Sequence, residues 1–196
     1  MAGAAPAEPF SLTPANVVVG PLVYSRASDL KIYKTGIKAV SANPFDYEAD
    51  GLYQFLGEVR NRATEMGWLE GILNVNVAPK EDEENLSNII DNYGTITLEQ
   101  VRRWETSYIA TQSRAAQDSY MLYLCLFASS TSKATKKVMI WSDQYMIEVG
   151  GVTYSSGVAL LKVIIRESHL DTNATTNSIR TKLLSLGTYI TTNHYN

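Results

Sequence analysis

Apolar residues recur along most of the chain with the period of about 3.6 residues that is typical of amphipathic helices. The clearest stripe has the spacing i, i+3, i+4, i+7, i+11 and i+14, and it comprises Leu52, Phe55, Leu56, Val59, Ala63 and Met66. We expect this helix to begin near Pro44 and to end at Gly67-Trp68. Stripes of the same period at 134–145 and 179–190 predict two further helices.

Capping signals and charge clusters mark other helix starts. Residues 97–100 match a capping box, in which the Thr97 hydroxyl and the Gln100 side chain satisfy each other's backbone amides. The helix that follows has room to run through 112–117 into the apolar run 120–127. A segment that is apolar on all sides predicts a helix at the centre of a bundle. The acidic cluster at 80–84 predicts the first turn of a short helix that carries Leu86, Ile89 and Ile90.

Strand signals are few and short. They are confined to residues 17–19, 75–77 and 146–149, and we expect each to be too short to build a sheet. Gly150-Gly151 is the strongest interruption inside the chain and predicts a hinge. The pattern therefore predicts an all-α fold of about seven helices.

The first 24 residues differ from the rest, because three prolines fix their backbone: Pro6, Pro9 and Pro14. We interpret residues 1–24 as an extended or flexible N-terminal arm, which docks on a neighbouring molecule or on its own body. Residues 25–196 then form the helical domain. The chain shows no secretory signal pattern and no apolar run of about 18 residues, so we expect a cytoplasmic protein without a membrane span.

Charge is distributed unevenly along the chain. The formal net charge is −3 over 196 residues, with −6 in residues 1–98 and +3 in residues 99–196. This balance excludes a polycation that seeks phosphate. It fits head-to-tail packing of unlike faces between copies, or alternatively two ordinary solvated faces. The single cysteine, Cys125, excludes an intrachain disulfide and lies in an apolar run, where it is expected to be buried.

The sequence offers little for catalysis. His169 and His194 are the only histidines, and the pair Asp46 and Asp50 at a helix start is explained by the helix dipole. Nucleotide-binding, zinc-protease and nucleophile-elbow motifs are absent. We therefore predict no catalytic residues, no metal, no cofactor and no small-molecule substrate, which means that the protein is not an enzyme.

Basic residues give a weak signal for RNA. Lys133, Lys136 and Lys137 cluster on one predicted helix, and Arg102-Arg103 directly precede Trp104, so basic residues lie beside an aromatic one there. These five cations are candidates for weak, non-specific RNA contact. The alternative is that they are solvated helix faces and that Trp104 belongs to the core.

A string of motifs suggests a family. In chain order it runs through Thr111-Gln-Ser-Arg-Ala-Ala-Gln117, Leu122-Tyr-Leu-Cys-Leu126, Leu160-Leu-Lys-Val-Ile-Ile-Arg-Glu-Ser168, Leu170-Asp-Thr-Asn-Ala-Thr175, Ile179-Arg180 and Leu183. Upstream pieces at 55–56, 62–63, 67–68, 93–94 and 96–98 fit the same order. Over residues 45–190 the chain resembles the capsid region of Gag-like proteins from copia-type LTR retrotransposons.

The resemblance implies a retroviral-capsid-like bundle that self-assembles into a shell around the element's RNA and has no catalytic residues of its own. On this resemblance we expect the C-terminal capsid half to be incomplete at residue 196, and this sequence contains no zinc-knuckle motif. Expected partners are further copies of the chain and, weakly, RNA. The alternative is a monomeric or dimeric helical adaptor that binds protein, for example a host protein derived from such a Gag.

Overall fold

Seven helices and four short strands make up the residues that the computed structural model describes, 20–79 and 83–169. In chain order they are α1 (Ala27–Gly36), α2 (Ala49–Met66), β1 (Asn74–Asn76), β2 (Leu86–Asn88), α3 (Leu98–Thr111), α4 (Ala115–Ala128), α5 (Ser132–Met139), α6 (Ser142–Tyr145), β3 (Met146–Val149), β4 (Val152–Ser155) and α7 (157–169). In this part of the chain no helix is both long and apolar enough to cross a membrane.

The prediction of an all-α fold is wrong, because the strands pair into two small antiparallel sheets. In the first, β1 pairs with β2 so that Val75 lies opposite Ser87. The Asn76 side chain shapes the connection: its Oδ1 accepts the backbone amides of Ala78 (3.0 Å) and Asn85 (2.9 Å). The predicted helix at 86–90 is therefore replaced by a strand and a turn.

The second sheet is a hairpin of β3 and β4 joined by Gly150 and Gly151. The two glycines have φ of +59° and +79°, which match the two-residue turn that suits the twist of a hairpin. Short strand signals were thus sufficient for sheet formation, because a hairpin partner is adjacent in the chain and little entropy is lost in closing the loop. A hinge at this pair stays a prediction.

The predicted stripe and the C-terminal end of helix α2 are confirmed, but the helix begins at Ala49 and not near Pro44. Five of its six stripe residues are buried, and Met66 is half-buried. Gly67 ends the helix in the left-handed conformation with φ of +73°, and the Trp68 amide donates to the Ala63 carbonyl at 2.8 Å. The capping box of α3 is confirmed as well, with both reciprocal hydrogen bonds formed between Thr97 and Gln100.

The centre of the core is α7 and not the segment 120–127. Seven residues of α7 are at most 1% exposed: Val158, Ala159, Leu160, Leu161, Val163, Ile164 and Ile165. Helix α4, in contrast, buries one side and leaves Tyr120 44% exposed. The chain breaks between α3 and α4 at Gln112, whose extended backbone prevents one continuous helix.

The last residues of the predicted arm are docked on the body of the same molecule. Leu22 is 6% exposed. Its backbone amide donates to Gln117 Oε1 at 2.6 Å, and the side-chain Nε2 of Gln117 donates to the Leu22 carbonyl at 3.1 Å. Residues 1–19, the predicted helix at 179–190 and His194 lie outside the described residues.

Candidate binding groove

A groove with a volume of about 1220 Å³ lies between α3, the segment from α6 to β3, and α7. Helix α3 forms one wall, and Gln144 with the outer residues of β3 forms the other. The side chains that line it include Glu99, Arg102, Arg103, Trp104, Glu148 and Arg166. Three arginines, Arg102, Arg103 and Arg166, therefore converge on one concave surface, which we call the arginine groove.

Arg102 is fixed by backbone acceptors. Its Nη1 donates to the carbonyls of Asp143 and Gln144, at 2.7 Å each. These carbonyls belong to α6, a single helical turn, so the guanidinium satisfies acceptors that such a short helix leaves without an intrahelical partner. Arg102 thus joins α3 to the start of the β3–β4 hairpin.

Arg103 and Arg166 complete the basic lining. Arg103 is exposed, and its Nη2 donates to the Ala78 carbonyl at 2.8 Å. The Arg166 Nη1 donates to Gln144 Oε1 at 2.6 Å, and its guanidinium lies 4.9 Å from the centre of the Trp141 ring. A cation over an aromatic face is attracted by the ring quadrupole, which fixes the direction of this long side chain.

The positive charge of the groove is only partly compensated. Arg166 has a carboxylate neighbour, Glu167, at 3.2 Å. Arg102 and Arg103 bind carbonyl oxygens, which carry no formal charge, and in the described part of the chain neither forms an ion pair with Glu99 or Glu148. Arg102 and Arg103 are therefore held in place while their charge stays available to an anionic partner.

Trp104 contributes an aromatic surface to the same wall. Its ring stacks on Tyr108 with centroids 5.5 Å apart and planes inclined by 28°. Its Nε1 is buried, and among the described residues it has no hydrogen-bond partner. The residue is half-buried against the core, so it acts as a packed side chain with one edge at the groove.

Helix α3 also carries a buried carboxyl outside the groove lining, that of Glu105, which is 2% exposed. Its two oxygens accept hydrogen bonds from the hydroxyls of Ser119 and Ser156. The two serines in turn accept the amides of Gly157 (3.0 Å) and Ala159 (2.8 Å) at the start of α7.

Burial raises the pKa of Glu105 to about 7, and the two serine hydrogen bonds offset part of that rise. Both carboxyl oxygens accept serine hydroxyls, and each of these serines also accepts a backbone amide of α7. The carboxyl of Glu105 therefore links α3, α4 and α7 through hydrogen bonds. The helical periodicity of the sequence did not identify this link.

The structure divides the five predicted RNA contacts into two groups. Arg102 and Arg103 line the groove together with Arg166. In the sequence, only the positive charge of Arg166 after an apolar helical segment could have pointed to it. Lys133, Lys136 and Lys137 lie on α5, and they are not among the lining residues that the structure describes.

His169, Asp46 and Asp50 are the described residues that the sequence offered for metal or acid–base chemistry. In residues 20–79 and 83–169, no three histidine, cysteine or acidic side chains are placed to hold a metal ion. His169 stacks on Tyr93 with ring centroids 5.6 Å apart. Asp50 lies in the first turn of α2, as expected for a dipole contact, and Asp46 accepts the Glu48 amide at 3.1 Å.

Comparisons with family models, with curated proteins and with solved structures gave no match for this chain. The resemblance to copia-type Gag proteins therefore rests on the motif string alone, and it stays a prediction.

Proposed function

We propose that this protein is a structural, self-assembling Gag-like protein that forms a shell around the RNA of an LTR retrotransposon. A role without catalysis and a cytoplasmic location are parts of the same proposal. Its partners would be further copies of the chain and, weakly and without sequence preference, RNA.

The observation that carries the proposal is where the motif string lies in the fold. Its described pieces fall on the α3–α4 junction and on helices α4 and α7, which pack directly on each other. At their contact, a Cβ added to Gly157 would lie 2.6 Å from the Tyr123 amide and 2.7 Å from the Leu122 Cβ. The apolar motif residues on these helices are therefore explained by packing, as expected for a structural protein.

Exposed apolar side chains provide material for contacts between copies. Tyr53 is 89% exposed, Ile140 71%, Met139 58% and Val152 52%. Tyr53 lies on α2, Met139 and Ile140 lie at the C-terminal end of α5, and Val152 lies on β4. Since surface charge pairs contribute only about 0–1 kcal/mol each, apolar contacts of this kind must supply much of the association energy of a shell.

Sedimentation velocity of the full chain across protein concentration and salt tests the proposal. We expect multimers that grow with concentration. A matched chain without residues 1–19 tests the arm and keeps Leu22, whose docking on the body would be lost in a longer deletion. Weaker multimers with an unchanged helical circular-dichroism spectrum would assign part of the contact to the arm. A full chain that stays monomeric near millimolar concentration in every salt would refute the proposal.

The alternative is a protein-binding adaptor, and the arginine groove is the observation that favours it. A groove with a volume of about 1220 Å³ and oriented guanidinium groups is suited to bind an acidic peptide. A stoichiometric complex with one cellular protein, formed by a chain that does not multimerise, would favour this function over the shell.

A further inference from the structure

The arginine groove requires an anionic partner that the described part of the molecule does not supply. Arg103 is exposed, and it and Arg102 are oriented by uncharged carbonyl oxygens. The two carboxylates of the lining, Glu99 and Glu148, are both exposed and form no ion pair with them among the described residues. Guanidinium groups held in this way lose little side-chain entropy when they bind carboxylates.

The start of α2 is a surface of the complementary kind. Glu48 precedes the helix, Asp50 lies in its first turn, and both are exposed. No described cation forms an ion pair with either carboxylate. Tyr53 follows on the same helix, is 89% exposed, and makes none of the described ring contacts. Acidic charge thus lies beside a large aromatic side chain that its own molecule leaves in water.

We propose that the start of α2 in one copy, with Glu48, Asp50 and Tyr53, docks into the arginine groove of the next copy. Carboxylates would pair with Arg102 and Arg103, and the Tyr53 ring would pack along the groove beside Trp104. Tyrosine, tryptophan and arginine are the residues in which interface energy concentrates. This inference names the contact behind the proposed function and rests on it.

The two surfaces lie on different elements, and no residue of α2 is among those that line the groove. A contact between unlike surfaces leaves one of each unused in every dimer, so addition continues from copy to copy. Such a contact is expected in a shell or filament. The uneven net charge of the chain, −6 in residues 1–98 and +3 in residues 99–196, agrees with this docking. The acidic surface lies in the first half of the chain and the arginines lie in the second.

The test uses one variant for each surface in the full chain. Arg103→Glu inactivates the groove, and Asp50→Asn with Tyr53→Ser inactivates the α2 surface without adding a cation that could pair with the new glutamate. Lys133→Glu and Glu70→Gln are matched controls, since they make the same charge changes at exposed positions outside both surfaces. Circular-dichroism melting establishes that each variant is folded. If Arg103→Glu unfolds, Arg103→Gln replaces it, because the amide keeps a donor near the Ala78 carbonyl.

Sedimentation of each variant alone and of the mixture gives the readout. Each surface variant alone should associate about tenfold or more weakly than the wild type, whereas the two controls should associate like it. The mixture should give a 1:1 dimer and nothing larger, since the intact groove of one variant takes the intact α2 surface of the other. The dimer should dissociate as salt is raised.

Outcomes that overturn the inference are distinct from failure of the proposed function. If the wild type forms multimers and either surface variant forms them equally well, the docking is wrong while self-assembly stands. Absence of the mixed dimer, with both variants folded, overturns the docking in the same way. A wild type that is monomeric throughout removes the proposed function and the docking together.

Discussion

Replacing Glu105 with Gln should make the stability of this protein higher and less dependent on pH. The carboxyl is 2% exposed, and burial raises its pKa from the ordinary value of 4.5 to about 7. Below pH 4.5 the group is neutral in both the folded and the unfolded chain and contributes no penalty. As pH rises from 4.5 to about 7, the unfolded chain ionises first, so the folded state loses stability over this window.

The magnitude follows from the pKa difference. A change of one in pKa corresponds to about 1.4 kcal/mol, so the rise from 4.5 to about 7 costs about 3 kcal/mol once both states are ionised. Gln is neutral at every pH and has nearly the same shape, so it keeps contact with Ser119 and Ser156. We therefore expect the two proteins to be similar in stability near pH 4.5 and Glu105→Gln to be more stable by about 3 kcal/mol at pH 8.

Urea unfolding of both proteins between pH 4.5 and 8 measures this difference. Burial also raises the pKa of Asp118, but Asp118 is present in both proteins, and its effect cancels in the comparison. Glu99→Gln is the matched control, because it makes the same substitution at an exposed position on the same helix. A constant difference in the free energy of unfolding between wild type and Glu105→Gln, from pH 5 to 8, would show that the carboxyl is not desolvated and would refute the reasoning.

Three further predictions concern packing, each checked by urea unfolding or by thiol reactivity. Gly157→Ala should lower the free energy of unfolding by about 3 kcal/mol or more, since its Cβ would lie 2.6 Å from the Tyr123 backbone amide. The control Gly57→Ala has nothing within 4 Å of its Cβ and should stabilise by about 0.5–1 kcal/mol. Equal effects of the two substitutions would contradict the close contact of α7 with α4. Leu160→Ala at 0% exposure should cost about 2–5 kcal/mol, and a loss below half a kilocalorie would place α7 outside the core. Cys125, buried and with a pKa raised to about 11 by burial, should react with a thiol reagent at pH 8 only when the chain unfolds; prompt reaction of the folded protein would show that the site is open.

Local features of the fold could be predicted because their causes lie within a few residues. The stripe of α2 and the glycine that ends it depend on spacing inside one helix. The capping box at Thr97 is satisfied by a residue three positions away. Burial of Cys125 followed from the apolar run around it.

Errors arose where two readings are equally supported by a short pattern. The run at 86–90 suits one turn of helix or a strand, and pairing with β1 decided for the strand. The run at 120–127 and the segment 158–165 are both mostly apolar. Only packing made α7 the buried centre and left Tyr120 of α4 exposed.

For the candidate groove, the sequence by itself identified Arg102 and Arg103 as charges beside an aromatic residue and left their surroundings open. The tertiary structure added Arg166, 64 residues further along the chain than Arg102, and separated the lysines of α5 from them. The buried carboxyl of Glu105 was decided in the same way, since Ser156 lies 51 residues away from it. Helix period and caps are set by hydrogen bonds between near neighbours, which a sequence displays directly. Burial, pKa and the convergence of charges depend on contacts between distant segments, and these exist only once the chain has packed.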